Sequence, residues 1–311
     1  MGIEMDIIEK INVLKKERNA VILAHNYQVG EVQDIADFIG DSLELSIKAS
    51  LIKADIIVFC GVYFMAETAK ILNPEKTVLI PDEHAGCPMA DMITAEQLRE
   101  LKKKHPSAQV LCYVNTSADV KAECDLCCTS ANAVDMVSGP LSDAKEIIFV
   151  PDKYLAQHVA LQTGRDFIYW NGYCPTHARI LPEHILNLKK AHPEAIAIVH
   201  PECTPLVTAT ADQVLSTGGM CRFVESSNAP EFIVGTETGM IHRLQKENPD
   251  KRFYPAGYMA VCPNMKKTSL EKVLWALEDL QHEVILDQDI IRKAERSIRR
   301  MLEYSMALTE K

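Results

Sequence analysis

The chain is one pattern written three times. The segments NVLKKERNAVILAHNY (12–27), ELKKKHPSAQVLCYVN (100–115) and NLKKAHPEAIAIVHPE (187–202) start 88 and 87 residues apart. Each runs from a lysine-rich helix end through a turn into a short apolar strand with a polar tip. Repetition at a fixed period constrains a fold tightly, because equivalent segments build equivalent units that pack together. The register continues past the strands. His25, Tyr113 and His200 share one repeat position, and Tyr27, Asn115 and Glu202 share the position two residues later. Ser42, Ser130 and Thr217 coincide fifteen residues after that. Cys87, Cys174 and Cys262 close the three units 87 and 88 residues apart, and none of the other cysteines precedes a proline as these three do.

The interior of each unit matches with small insertions. ADIIVFCG (54–61), KEIIFVPD (145–152) and PEFIVGTE (230–237) read as buried parallel strands, being short β-branched runs bounded by Gly, Pro or Asp. Helical patterns follow in MAETAKIL, YLAQHVALQ and MIHRLQKE, then further short strands in KTVLIPD, DFIYW and KRFYPA. Alternating strands and helices predict an α/β fold with parallel sheets. The expected architecture is three pseudo-threefold-related repeats, 1–88, 89–175 and 176–263, each a small layered domain around a central cavity. TSLEKVLWALEDL (268–280) resembles the helix that opens a unit. With no fourth unit to begin, the tail 264–311 is expected to pack on the first repeat, with a charged helix at its end.

Functional groups in parallel α/β units gather beyond the carboxyl ends of the strands. His25, Tyr113, His200 and the Cys-Pro tips all sit there, so pseudo-threefold symmetry would aim them at one point. Two readings of the Cys-Pro loops compete. Each may only shape a loop before a helix, or the three may bring thiolates together. Three occurrences in register favour the second. Three thiolates could hold zinc with one open position or a [4Fe–4S] cluster with one iron lacking a protein ligand. Zinc sites usually show close cysteine pairs, whereas ligands from three separate repeats suit a cubane several ångströms across. An open iron would act as a Lewis acid and favour dehydration. His25, His200, Tyr27, Tyr113 and Glu202 form an acid–base set. Ser42, Ser130 and Thr217 lie near helix starts, as ordinary N-caps, as hydroxyls beside amides that face an anion, or as both. His177, three residues after Cys174, is near enough to face the site.

Other motifs point elsewhere. CDLCC (124–128) contains C-x-x-C but has no counterpart in the other units, so it is expected to be a bystander. HPEC (200–203) lacks the P-C-x-x-C that a zinc deaminase needs. No G-x-G-x-x-G and no P-loop occurs. His105 and His192 occupy turns after helices and are expected to be solvated. A net charge of −10 argues against nucleic acid as a general partner. No apolar run is long enough to span a bilayer. The amphipathic, acid-containing start MGIEMDIIEKINVLKKE is unlike a targeting peptide. These features predict a soluble cytoplasmic protein whose ten cysteines are reduced and available to metal.

Taken together, AHNYQ, GDSLELS, FCGVYFMAETAKILNPEKTVLIPD, AGCPMADM, CYVNT, CCTSANA, HPEC and VCPNM resemble the quinolinate synthases, over about residues 20–305. The stretch CTPLVTATADQVLSTGGMC (203–221) departs most from the family pattern. The resemblance implies condensation of iminoaspartate with dihydroxyacetone phosphate, with loss of phosphate and water, in NAD biosynthesis. It implies one oxygen-sensitive [4Fe–4S] cluster per chain on Cys87, Cys174 and Cys262. It also implies a site of His25, Tyr27, Ser42, Tyr113, Asn115, Ser130, His177, His200, Glu202 and Thr217, in which Tyr27, His25, His200 and Glu202 move protons. An aspartate-oxidising enzyme would supply the unstable imine. Two rivals stand beside this reading: another tricysteinyl hydro-lyase that needs no phosphorylated co-substrate, and a zinc-bound structural or sensing protein.

Overall fold

The computed structural model describes residues 6–309. Its first unit runs α1 (Ile7–Glu17), β1 (Ala20–His25), α2 (Gly30–Ile35), β2 (Phe38–Gly40), α3 (Ser42–Leu51), β3 (Ile56–Cys60), α4 (Tyr63–Leu72) and β4 (Thr77–Leu79). The second repeats this order with α5 (Ala95–Lys104), β5 (Gln109–Tyr113), α6 (Ala118–Ala122), β6 (Leu126–Cys128), α7 (Ala133–Ser138), β7 (Ile147–Val150), α8 (Lys153–Thr163) and β8 (Ile168–Tyr169). The third does so with α9 (Pro182–Ala191), β9 (Ile196–Val199), α10 (Pro205–Thr208), β10 (Gln213–Val214), α11 (Thr217–Ser226), β11 (Glu231–Gly235), α12 (Met240–Glu247) and β12 (Arg252–Pro255). The result is three four-stranded parallel sheets with one strand order, β2-β1-β3-β4 and its two equivalents. The α/β class and the threefold layering read from the sequence are present.

Local chemistry explains the boundaries. β3 and β7 are buried at every residue, as expected for parallel strands covered by helices on both faces. Thr94 and Gln97 form a capping box at the start of α5, and Pro182 opens α9 where its missing N–H costs nothing. One further device recurs in all three layers. The carboxylates of Asp37, Asp125 and Asp212 accept from the N–H groups of Ile22, Val110 and Ala197, each at 2.8 Å. These acids again lie 88 and 87 residues apart. They clamp the short edge strand to the central one. Repeat-equivalent polar residues can therefore be structural as well as functional.

The tail divides. α13 (Leu270–Asp279) lies against α1 and β3, where Val273 and Leu277 complete a core with Ile11 and Ile22. α14 (Gln288–Thr309) departs from the expectation of packing on the first repeat: it lies mainly against α6 and β6 of the second layer. Its Ser297 hydroxyl donates to Lys121 O at 3.1 Å and accepts from Cys127 Sγ at 3.4 Å. No described helix is long and apolar enough to cross a membrane.

Candidate active site

The carboxyl ends of β1, β5 and β9 open on one shared cavity. β1 ends at His25 and β5 at Tyr113, and His200 follows β9 directly. These three line the cavity with Tyr27, Asn115 and Glu202, the residues two positions on. Ser42, Ser130, Thr217 and His177 line it too, as do Cys87, Cys174 and Cys262. Val62, Phe64, Met65, Met89 and Met265 supply an apolar wall.

Glu202 is the hub. Its Oε1 accepts from Tyr113 Oη at 2.5 Å and Asn115 Nδ2 at 3.3 Å, and its Oε2 lies 2.8 Å from His177 Nδ1. On the other side of that imidazole, Nε2 is 2.8 Å from Thr236 Oγ1, which is 2.6 Å from Tyr27 Oη. A continuous line of hydrogen bonds thus joins Glu202, His177, Thr236 and Tyr27. Burial opposes a charge on Glu202, but His177 first and then His200 and Tyr113 hold its carboxyl down at about 2. Burial, reinforced by Glu202, pushes the Tyr27 and Tyr113 phenols up, so both stay protonated.

Equivalent turns orient the two remaining histidines. The Tyr27 N–H donates to His25 Nδ1 at 3.1 Å, and the Glu202 N–H donates to His200 Nδ1 at 3.3 Å. Each ring therefore carries its proton on Nε2. His200 Nε2 donates to Ser130 Oγ at 3.2 Å. Burial depresses both histidines to about 3 despite the pull of Glu202. At neutral pH they are hydrogen-bond donors rather than cations.

Ser42 and Thr217 are not the N-caps. Asp41 caps α3 and Ser216 caps α11, leaving Ser42 and Thr217 as the first helical residues. Ser130 precedes α7, whose N-cap position is Asn132. Asp41 also joins the two capped helices, accepting from Ser216 Oγ at 3.2 Å and the Gly218 N–H at 3.3 Å. Thr217 Oγ1 accepts from Asn26 Nδ2 at 2.8 Å. Among the described residues, no lysine or arginine lines the cavity. An anion there would be met by hydroxyls, neutral imidazole N–H groups and the amino ends of α3 and α11.

The three Cys-Pro thiols are half-buried. Burial pushes Cys87 up to about 12, and it pushes Cys174 up as well, with Glu202 adding to the effect. Neither would ionise without a cationic partner. Cys174 Sγ lies 3.1 Å from His177 Nδ1, and Cys174, His177 and Glu202 offer donor atoms within 4.8 Å of one another. The Cys262 N–H donates to Glu237 Oε1 at 3.1 Å, and Lys266 Nζ lies 3.0 Å from the same oxygen. The other seven cysteines are buried and do not line the cavity. Cys127 and Cys128 of the C-x-x-C stretch lie on β6 inside the second layer. His105 and His192 are remote from the cavity and only partly exposed. His192 stacks on Tyr254 at 3.7 Å between ring centroids, so it is less solvated than its turn position suggests.

The model of the family described as "Quinolinate synthetase A protein" matches residues 9–303. The chain belongs to the quinolinate synthetase A family. A protein named "Quinolinate synthase" from Dehalococcoides mccartyi (strain CBDB1) is 58% identical over 296 residues, 95% of this chain and 97% of that one. A protein of the same name from Thermodesulfovibrio yellowstonii is 54% identical over 297 residues, 95% and 97% of the two chains. One from Methanosarcina barkeri is 52% identical over 299 residues, 96% and 98%.

Several residues of this quinolinate synthetase A site escaped the sequence reading. Thr236 and Glu237 follow β11 directly, at a strand tip, and the strand-end rule applied to β11 would have found them. Asp41 carried the D-x-x-E signature of a capping box with Glu44. Lys266 and Asn26 had no such signal, because their places depend on contacts more than 190 residues distant in the chain, with Tyr27 and Thr217.

Proposed function

We propose that the chain is a quinolinate synthase, condensing iminoaspartate with dihydroxyacetone phosphate to quinolinate, with release of phosphate and water, on the way to NAD. One observation carries the reading: acid–base side chains and three Cys-Pro thiols, drawn from all three repeats, meet in one cavity of a chain in this family. The units 1–88, 89–175 and 176–263 each contribute one such thiol. Tyr27, His25, His200 and Glu202 are the catalytic residues, and Ser42, Tyr113, Asn115, Ser130, His177 and Thr217 complete the substrate surface.

Cys87, Cys174 and Cys262 would hold one [4Fe–4S] cluster per chain. The donor set fits, since no other cysteine lines the cavity and the thiols of Cys87 and Cys174, pushed up by burial, need a cation before they ionise. When bound, the cluster supplies a Lewis acid at the iron that lacks a protein ligand, assisting loss of hydroxyl. The protein does the rest. The phosphate end is met by Ser42, Thr217 and the amino ends of α3 and α11. His25 and His200, neutral and donating from Nε2, orient carbonyl or carboxylate oxygens. Tyr27 gives and takes protons, and the line through Thr236 and His177 lets the balancing charge rest beside Glu202. Asn115 lines the cavity, and its Oδ1 is buried without a hydrogen-bond partner. Because iminoaspartate is unstable, an aspartate-oxidising enzyme working alongside would supply it. Thiols that must stay reduced for a cluster suit a cytoplasmic enzyme.

The test is anaerobic purification with iron and sulfide analysis, followed by quinolinate assay. About four irons per chain are expected for one cubane, with product formed only when both substrates are present. Cys87→Ala, Cys174→Ala and Cys262→Ala each lose the cluster, while Cys127→Ala keeps it. An iron-free protein under strict anaerobiosis refutes the reading. So does catalysis that does not require dihydroxyacetone phosphate.

A further inference from the structure

We propose that in the cluster-free protein Cys174, His177 and Glu202 form a separate site for a single divalent transition metal, with zinc as its diagnostic occupant. We further propose that this ion and the cluster exclude each other, a part that rests on the functional reading above.

The three donors differ in kind: one thiol, one imidazole and one carboxylate, all within 4.8 Å of one another. Cys174-Pro175-Thr176-His177 has the C-x-x-H spacing of zinc ligands. The turn is closed by the Ala178 N–H donating to Cys174 O at 3.0 Å. Glu202 arrives from the tip of β9 in the third unit. His177 Nδ1 lies 2.8 Å from Glu202 Oε2 and 3.1 Å from Cys174 Sγ. Around tetrahedral zinc, bond lengths of about 2.0–2.3 Å put the nitrogen–oxygen edge near about 3.3 Å and the nitrogen–sulfur edge near about 3.6 Å. These two edges need to open by only about half an ångström to admit the ion, and the sulfur–oxygen edge lies within 4.8 Å.

The surroundings orient these ligands as outer partners do in metal sites. Glu202 Oε1 is occupied by Tyr113 and Asn115, which leaves Oε2 free as a single-oxygen ligand. His177 Nε2 faces Thr236 Oγ1 at 2.8 Å. On binding, the thiol proton of Cys174 and the Nδ1 proton that His177 shares with Glu202 leave to solvent, the imidazole keeps its proton on Nε2, donating to Thr236, and the Nδ1 lone pair meets the metal. The fourth position faces the cavity. The cluster needs Cys87, Cys174 and Cys262, whereas this site needs Cys174 alone of the three. The shared thiol makes the two occupants exclusive.

The experiment uses full-length, cluster-free protein under anaerobic conditions. Zinc is titrated against a chromophoric indicator, and cobalt is used to report a thiolate-to-metal charge-transfer band. One tight equivalent is expected. His177→Ala and Glu202→Gln should each weaken binding by about 10–100-fold, with the isosteric Glu202→Gln guarding against misfolding. Cys174→Ala abolishes binding, and Cys87→Ala and Cys262→Ala leave it unchanged. Cluster reconstitution shows the opposite pattern, lost in Cys87→Ala and Cys262→Ala and kept in Glu202→Gln. Zinc-loaded protein takes up no cluster until a chelator strips the zinc. The proposal is overturned if no tight equivalent binds, if Cys87→Ala loses the zinc, or if Glu202→Gln binds it normally. Cluster formation without zinc binding sinks this inference alone. Zinc binding with no cluster in any preparation sinks the functional reading and leaves the metal site standing.

Discussion

Thr236→Val changes almost nothing but one hydroxyl. That hydroxyl bridges Tyr27 Oη at 2.6 Å and His177 Nε2 at 2.8 Å, and Thr236 itself is buried. After the change, Tyr27 Oη keeps only the 3.4 Å approach to His177 Nε2, too long for a strong bond. Two buried hydrogen bonds are lost, at a cost of about 1–3 kcal/mol in stability for each group left unpaired. The larger effect falls on turnover. If Tyr27 moves protons through this link, breaking it removes general acid–base assistance and lowers kcat by about 100-fold or more, or about 2.7 kcal/mol in the barrier. KM should change little, since Thr236 is not among the residues lining the cavity. The assay is anaerobic quinolinate formation with both substrates varied, alongside urea unfolding. Thr236→Ser keeps the hydroxyl and leaves a methyl-sized void worth about 1 kcal/mol, so it should stay within a few-fold of wild-type kcat. A Thr236→Val protein with normal kcat refutes the relay. A Thr236→Ser protein as slow as the valine variant shows that packing, not the hydroxyl, matters.

Three further outcomes are expected. Gly218→Ala puts a Cβ 2.7 Å from both Asp41 Oδ2 and Glu44 Oε1, so these carboxylates must turn aside and Asp41 loses its bonds to Ser216 and the Gly218 N–H. It should raise KM for the phosphorylated substrate more than it lowers kcat, measured by steady-state kinetics. Lys121 is fully buried, donates to Thr116 O and lies 5.3 Å over the Phe64 ring. It also eases the charge of Glu67, whose carboxyl burial pushes up. Lys121→Met should cost about 3–5 kcal/mol in urea unfolding, with partial recovery in the double variant carrying Glu67→Gln. Finally, burial holds His25 and His200 at about 3, below the ordinary 6.5. Between pH 6.5 and 3 the unfolded chain takes up protons that the folded chain refuses, so stability falls as pH drops through that window. His200→Gln should flatten this slope by up to about 1.4 kcal/mol per pH unit, read from urea unfolding of cluster-free protein at several pH values.

Repetition made much of the fold legible. A segment that recurs in register must form the same element each time, so a weak strand signal in one copy is supported by the other two. The edge strands β2, β6 and β10 were missed because they are only two or three residues long, too short for any periodicity. They exist because their neighbours pair with them and because Asp37, Asp125 and Asp212 tie them in. The site was legible for the same reason as the core strands: polar residues at strand tips stood in register. Ser42 and Thr217 were read as N-caps, anion-facing hydroxyls or both, and the residue before each one does the capping.

By itself the sequence determined the number of layers, the alternation of their longer strands and helices, and the polar residues at the tips of β1, β5 and β9. These follow from local period and from repetition, which need no knowledge of distant contacts. Only the tertiary structure decided where α14 lies. Its buried stripe of Ile291, Ala294, Ile298 and Met301 could cover any exposed apolar face, and α6 with β6 offered one. The tertiary structure also decided that His177 stands between Glu202 and Thr236. Those partners follow β9 and β11, two separate strand tips, and a hydrogen bond depends on positions in space that chain spacing does not encode.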